Sequence, residues 1–192
     1  MARKSGEDRR AEILQTASEL FARNGFHGVS MDELGAAAGV SGPALYRYFP
    51  GKEAILSAML IDISERLLAG GRERVASART PSQALRTLVD FHVDFALDHP
   101  DLIDVQARDL DAMPDADRRA VRRLQAQYVS LWVDALVGER PEMSPERARA
   151  SAHAAFGLIN STPHSARLSR PEMSGLLRAM ALSALANAPA VE

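Results

Sequence analysis

Ser30-Met-Asp-Glu-Leu-Gly-Ala-Ala-Ala-Gly-Val-Ser-Gly-Pro-Ala-Leu-Tyr-Arg-Tyr-Phe49 decides the fold. It reads as two short helices flanking a tight turn. Ser30 caps the first, and Glu33 three residues later completes a capping-box pattern. Gly39 sits at the turn, where glycine takes up a left-handed backbone at little cost. The second helix runs from about Ser41 to Phe49, and Pro50-Gly51 breaks it. Leu34, Ala37, Val40 and Leu45 are spaced to pack the two helices across each other, and small Ala36 to Ala38 allow close approach. A DNA-binding helix-turn-helix is built this way, because its second helix must project into the major groove from a rigid support. The plain alternative is a helical hairpin in a bundle.

Outward from this segment, apolar spacings of three and four predict an all-α chain of about nine helices, and alternating β-branched runs are missing. Ile13, Leu14, Ala17, Leu20 and Phe21 form one face of a first helix that stops at Asn24-Gly25. Lys52 opens a long fourth helix carrying Ile55, Leu56, Met59, Leu60, Ile63 and Leu67, weakened later by Gly70-Gly71. Thr80-Pro81 starts a fifth helix with Leu85, Leu88, His92 and Phe95. A shorter sixth covers Asp101 to about Leu110. Pro114 starts a seventh with Val121, Leu124, Tyr128, Leu131, Trp132, Ala135 and Leu136 inward. Ser144-Pro145 starts an eighth running to about Thr162, which Pro163 ends or kinks. Pro171-Glu172 starts a ninth running to about Asn187. The best domain boundary lies at Pro50-Gly51, giving residues 1–52 and 53–192.

The 192 residues are 46% apolar and 25% charged, with no cysteine. That composition is ordinary for a globular protein of one large or two small domains. Lacking cysteine, the chain has no disulfide, thiolate zinc site, iron–sulfur cluster or cysteine nucleophile. No apolar stretch follows the N-terminal residues, and no run reaches the roughly 18 apolar residues of a membrane helix, so a cytoplasmic protein that does not enter membranes is expected. Net charge is −2; residues 1–52 hold seven Lys and Arg against six Asp and Glu, and the remainder sixteen against nineteen. Such a small asymmetry does not by itself argue for DNA. The five histidines stand at 27, 92, 99, 153 and 164, with no pair three or four apart, so neither a metal site nor a cofactor is expected. Gly39-Val-Ser-Gly-Pro43 only half resembles a nucleophile elbow. No convergent acid, base or nucleophile is legible, which argues against an enzyme.

Gly25-Phe-His-Gly-Val-Ser-Met-Asp-Glu-Leu34, Ala38-Gly-Val-Ser41 and Leu45-Tyr-Arg-Tyr-Phe-Pro-Gly-Lys-Glu-Ala-Ile-Leu56 resemble the TetR/AcrR family of bacterial transcriptional regulators. The match covers about residues 9–60, with its aromatic, proline and lysine positions agreeing in register. The resemblance implies an N-terminal helix-turn-helix domain, then a larger helical domain for effector binding and dimerisation. It also implies a homodimeric repressor that releases operator DNA when a small molecule binds. Gly42, Pro43, Ala44 and Arg47 then fall where family members touch base edges. Arg47 is the one with a multi-donor side chain, suited to a bidentate contact with guanine. Gly42 and Ala44 replace larger polar residues common in the family, which leaves fewer hydrogen bonds to bases. Tyr46, Tyr48 and Lys52 match phosphate-gripping positions, and Ser30 offers its hydroxyl or its helix-start amides. Arg3, Lys4, Arg9 and Arg10 form a basic arm, read either as a solvated tail or as a contact flanking the groove.

In the second domain, Phe91, His92, Phe95, Arg108, Tyr128, Trp132, Phe156 and Asn160 are the candidate effector contacts, since aromatics with a few polar groups suit a small-molecule pocket. Arg108 would hold a carboxylate or phosphate. Analogy with regulators of lipid catabolism points to an acyl-CoA or another long apolar effector. Ala148, Ser151, Ala152, Ala155 and Ile159 make a small-residue stripe, and Leu176, Leu177, Met180, Ala184 and Leu185 would face a second subunit. Two alternatives stand beside this reading: a small-molecule enzyme or carrier on a helical bundle, and a DNA-binding regulator with no effector.

Overall fold

A computed structural model describes residues 6–165 and 167–189. The regular elements among them are helical: α1 (Gly6–Asn24), α2 (Met31–Ala37), α3 (Gly42–Tyr48), α4 (Lys52–Ser77), α5 (Pro81–Asp98), α6 (Pro100–Asp109), a 3-10 turn (Leu110–Ala112), α7 (Asp115–Glu139), α8 (Pro145–Ile159), the single turn α9 (Thr162–Ser165) and α10 (Arg170–Ala186). Nine of these helices are seven residues or longer, as the periodicity predicts. Their starts follow from capping chemistry. Thr80 Oγ1 accepts from Gln83 N at 3.1 Å, Ser144 Oγ accepts from Arg147 N at 3.3 Å, and each cap is followed by proline. Pro163 has no N–H for the Ile159 carbonyl, so α8 stops at Ile159, short of Thr162.

The described residues pack as two compact units. One is the chain up to Ile63 together with Asp101–Val121; the other is Ser64–Pro100 together with the chain from Arg122 onward. The core of the first is built on Ile13, Ala17 and Phe21 of α1, Leu34 of α2, Leu45 of α3, Ile55, Leu56, Met59 and Leu60 of α4, and Val105, Met113 and Val121. Phe26 meets Phe21 edge-on at 5.4 Å between centroids. Phe49 is buried, with the Arg10 guanidinium 5.1 Å above its ring.

Within this unit the α2–α3 contact differs in detail from the sequence reading. Leu34 and Leu45 are buried as expected, but Ala36 and Ala37 are exposed. Close approach is made by Gly35 instead, where a Cβ would lie 3.1 Å from the Val40 carbonyl. At 100° per residue, a helix turning Leu34, Gly35 and Ala38 inward turns Ala36 and Ala37 outward.

In the second unit α10 packs against α5 and α8. Asp90, Asp94 and Asp98, one helical turn apart on α5, meet Arg178 and Arg170 of α10. Arg178 reaches Asp94 at 2.8 Å and Asp90 at 3.3 Å, and Arg170 reaches Asp98 at 2.6 Å. These side chains are a third to a half exposed, so each pair contributes at most about 1 kcal/mol and sets register more than stability. Ala148, Ala152, Ala155 and Ile159 of α8 are buried within the chain. Leu177 and Leu185 are buried as well, which removes them from the face expected to meet a second subunit. Leu176, Met180 and Ala184 remain exposed on α10. The split is helical phase: 177, 181 and 185 share the inward side of α10, and 176, 180 and 184 the outward one.

Gly70-Gly71 does not weaken α4, which continues to Ser77. The pair makes room for two rings. A Cβ on Gly70 would collide with the Phe91 ring, and one on Gly71 would lie 2.7 Å from Tyr128 Cε2. Helix propensity alone favours alanine over glycine by about 1 kcal/mol. Gly71→Ala is nevertheless expected to destabilise the protein by about 1–3 kcal/mol, because a buried tyrosine must shift to admit the methyl group. Urea denaturation measures this, and a neutral or stabilising result would contradict the packing described.

Candidate nucleic-acid face and buried aromatic cluster

The approach to α3 begins at the α2 cap. Ser30 N donates to Glu33 Oε2 at 2.8 Å, Ser30 Oγ donates to the same oxygen at 2.7 Å, and Glu33 N donates to Ser30 Oγ at 3.2 Å. These bonds, the backbone one foremost, hold the Glu33 carboxyl below its ordinary range. Ser30 is exposed, but both its hydroxyl proton and its backbone N–H are taken by Glu33. Gly39 turns the chain with φ of 64°, and Val40 N donates to Gly35 O at 2.9 Å. Leu45 is fully buried and anchors α3. Around it Tyr46 is 54% exposed and Tyr48 37%, which excludes core packing for Tyr46. Arg47 and Pro43 are exposed, while Gly42 and Ala44 are half-buried. The outer surface of α3 therefore carries one guanidinium and two phenols among small apolar residues.

Lys52 is placed differently from a free phosphate ligand. Its Nζ donates to the carbonyls of Phe26 and Val29, both at 3.1 Å, and lies 4.7 Å from the Phe26 ring centroid. Two of the three ammonium protons thus pin the α1–α2 loop to the start of α4. Lys52 also borders an open cleft of about 580 Å³, shared with His27, Ser30, Tyr46 and Glu53. Of the basic arm, Arg3 and Lys4 lie outside the described residues. Arg9 pairs with Glu12 at 3.0 Å, and Arg10 covers Phe49.

In the second unit the structure brings together six of the eight expected effector contacts. His92 of α5 lies at the centre, 4% exposed. Its Nε2 is 3.0 Å from Asn160 Oδ1, and its Nδ1 is 3.4 Å from the Tyr128 hydroxyl. Asn160 Oδ1 can only accept, so Nε2 carries the proton and Nδ1 accepts from Tyr128. Phe156 stands T-shaped to His92 at 4.9 Å and to Trp132 at 4.7 Å. Phe95 lies 5.8 Å from His92. Thr162 Oγ1 donates to Ala96 O at 2.9 Å and ties the turn after Asn160 to α5. Burial, opposed by the hydrogen bond to Asn160, takes the His92 pKa down to about 4, so the imidazole is neutral near pH 7. Burial likewise pushes the Tyr128 phenol above its ordinary range.

The other two expected contacts lie elsewhere. Phe91 packs on Gly70 beneath the Arg74 guanidinium, which sits 3.9 Å from its ring centroid. Arg108 belongs to the first unit. There it donates to the carbonyls of Phe21 and Ala22 at the end of α1 and pairs with buried Asp109 at 3.1 Å. A cation at a helix C-terminus is favoured by the unsatisfied carbonyls it meets. Sequence reasoning missed that the buried Trp132 indole N–H faces the Tyr128 hydroxyl. It also missed the glycine notch under Phe91 and Tyr128, although two adjacent glycines in a helical pattern are a signal of close approach.

The neutrality of His92 has a measurable consequence. The unfolded state takes up a proton as pH falls below about 6.5, and the folded state does so only near 4. Stability is therefore lost across that window, by about 3 kcal/mol for this group. His92→Gln should flatten the fall in urea-measured stability between pH 6.5 and pH 4 relative to the parent chain. Parallel profiles would contradict a buried neutral imidazole.

Comparison with known proteins gives consistent matches. Residues 13–59 match the model of bacterial regulatory proteins of the tetR family, and residues 78–164 match the tetracyclin repressor-like C-terminal domain. The HTH-type transcriptional regulator EthR of Mycolicibacterium smegmatis is 37% identical over 100 residues, which is 52% of this chain and 46% of that protein. The HTH-type transcriptional activator FasR of the same species is 36% identical over 89 residues, 46% of this chain and 41% of that protein. The chain thus spans under half the length of these relatives. A TetR-family transcriptional regulator from Bordetella parapertussis superimposes with a TM-score of 0.82 at 27% identity, covering 92% of this chain and 95% of that one. FadR of Bacillus subtilis, solved with stearoyl-CoA, gives 0.69 at 19% identity over 91% of this chain and 98% of that one, a likeness of fold. With an N-terminal and a C-terminal family model both matched, and an all-helical fold to go with them, the chain belongs to the TetR family of bacterial transcriptional regulators.

Proposed function

We propose that the chain is a homodimeric repressor that binds operator DNA through residues 1–52 and is released when a small apolar effector binds within residues 53–192. The observation that carries the DNA reading is the exposure of Tyr46, Arg47 and Tyr48 on a helix anchored by fully buried Leu45. Arg47 reads guanine through paired donors, and Tyr46 and Tyr48 hold phosphates through their hydroxyls. Gly42, Pro43 and Ala44 offer apolar contact, as thymine methyl groups require. Ser30 and Lys52 contribute at the α2 and α4 starts, Lys52 through the ammonium proton not directed at Phe26 and Val29.

Two recognition helices must reach half-sites about one DNA turn apart, roughly 34–36 Å, so the reading requires two subunits. Leu176 and Met180, 43% and 48% exposed on α10, supply the apolar face for that contact. The effector reading rests on the cluster of His92, Phe95, Tyr128, Trp132, Phe156 and Asn160. The stearoyl-CoA seen with the FadR neighbour makes a long acyl compound one candidate. Arg108, engaged with Phe21, Ala22 and Asp109, is left out of the effector set. Regulation without an effector is favoured by one observation: the cluster's rings already touch one another.

A gel shift with DNA from upstream of the chain's own gene, over a salt series with nonspecific competitor, tests the function. A discrete, salt-sensitive, competitor-resistant complex is expected; none at low salt with folded protein would overturn it. Arg47→Ala should weaken binding by about 1–3 kcal/mol and relax preference at one base position. Lys52→Ala should weaken binding on all sequences and reduce the salt slope by about one. An unchanged slope would assign Lys52 to loop positioning alone. Met180→Glu should yield a folded monomer by sedimentation that has lost operator affinity, and a persisting dimer would move the interface elsewhere.

A further inference from the structure

The core around the helix-turn-helix includes residues far from it in sequence. Val105, Met113 and Val121 are buried in one cluster with Phe21, Leu34, Leu45 and Leu56. Asp101–Val121 accordingly belongs to the first unit, although the chain just before it packs in the second. Arg108 of α6 adds a polar link to that apolar one. One edge of its guanidinium meets the end of α1: Nη1 donates to Ala22 O at 3.3 Å, and Nη2 donates to Phe21 O. The other edge meets Asp109, with Nε donating to Oδ1 at 3.3 Å and Nη2 to Oδ2 at 3.1 Å. Asp109 is buried, so its carboxylate is fixed where it aims the guanidinium at α1. Four of the five N–H groups of Arg108 are thereby directed at acceptors of the chain.

Beyond these two carbonyls lies the approach to α2. Gly25 N also donates to Phe21 O, at 2.8 Å, and Gly25 turns the chain out of α1 with φ of 74°. Gly28 N donates to Gly25 O at 3.2 Å, the Phe26 and Val29 carbonyls accept from Lys52, and Ser30 caps α2. The α1–α2 connection is therefore held at its root by Arg108 and at its far end by Lys52. We propose that Arg108 is a positioning residue for operator binding: it touches no DNA, it fixes the α1–α2 connection and with it the placement of α2 and α3, and it makes residues 101–121 part of the DNA-binding machinery. This rests on the DNA reading given above. Helices as short as α2 and α3 take their position from what they are tied to. The apolar contacts of Leu34 and Leu45 hold them to the core but are non-directional. The hydrogen bonds to the α1–α2 connection supply the direction. Arginine suits the place because its planar fork serves a carboxylate and two carbonyls at once.

The test compares the full parent chain with Arg108→Ala and Arg108→Lys on the DNA fragment retained in the gel shift, at a temperature where thermal melts show each protein folded. Arg108→Ala should weaken binding about tenfold, as the loss of charge-assisted hydrogen bonds to the carbonyls permits. The factor should be the same on fragments altered at single base pairs. The slope of affinity against salt should keep the parent's value, since no phosphate contact is removed. Arg108→Lys can meet both carbonyls, as Lys52 meets its pair, and should recover part of the loss. Nitrogen–proton spectra without DNA give the cause: Arg108→Ala should displace the amide signals of Gly25, Gly28 and Ser30. If Arg108→Ala does not fold, Arg108→Gln, which keeps a donor without the charge, takes its place with the same expectations. Unchanged affinity in a folded variant, a salt slope reduced by about one, or loop signals that stay in place would overturn the assignment. So would Arg108→Lys binding no better than Arg108→Ala. A parent chain that binds no DNA would overturn the DNA reading, and the loop signals separate the two failures: displaced, they uphold the anchoring of the connection by Arg108, and unmoved, they overturn that as well.

Discussion

A seven-residue helix cannot hold its own shape in water, and α3 is seven residues long. Its conformation is imposed by the burial of Leu45 in the core that Leu34, Phe21 and Leu56 also share. That one insertion decides which side chains remain outside. With Leu45 inward, residues 46, 47 and 48 are exposed together on α3. The supporting turn must be short, so Gly39 takes a positive φ and Gly35 admits the Val40 carbonyl. The buried anchor and the exposed polar side chains are thus parts of the same short stretch, divided by helical phase.

Cations in this chain serve backbone carbonyls more than their sequence positions indicate. Lys52 spans Phe26 and Val29, Arg108 spans Phe21 and Ala22, and Arg140 reaches Leu185 and Ala186. Each stands near the end of a helix or in the loop after it, where carbonyls lack intrahelical partners. A basic residue placed there satisfies several acceptors at once, over sequence separations of 23 to 87 residues. The sequence reading assigned Lys52 and Arg108 to external anions because local pattern carries no record of a carbonyl so distant in the chain. The carbonyls they meet exist as orphans only once α1 has ended and the loop has turned.

What was legible follows the range of the interaction. Helix starts at Ser30, Thr80 and Ser144 rest on partners three residues away, and the periodic faces of α1 and α5 rest on spacings of three and four. The gathering of His92, Tyr128, Trp132 and Phe156 was legible as a set because each lies on the apolar side of its own helix. The hydrogen-bond order within the set was not. It depends on Asn160, 68 residues from His92, accepting at Nε2 and so fixing the tautomer that faces Tyr128. Leu177 and Leu185 were misassigned for a related reason. Leu and Met side chains stand on both the buried and the exposed side of α10, so the apolar pattern does not fix its rotation, and its neighbours α5 and α8 decide it instead.

The two glycines of α4 show how a local rule can mislead while still marking a point of close approach. By propensity, Gly70-Gly71 is a weak point. In the fold it is where Phe91 and Tyr128 press against a bare helix backbone. Tyr128 then stands against α4 on one side and donates to His92 on the other, so its phenol is fixed by packing before any hydrogen bond is counted.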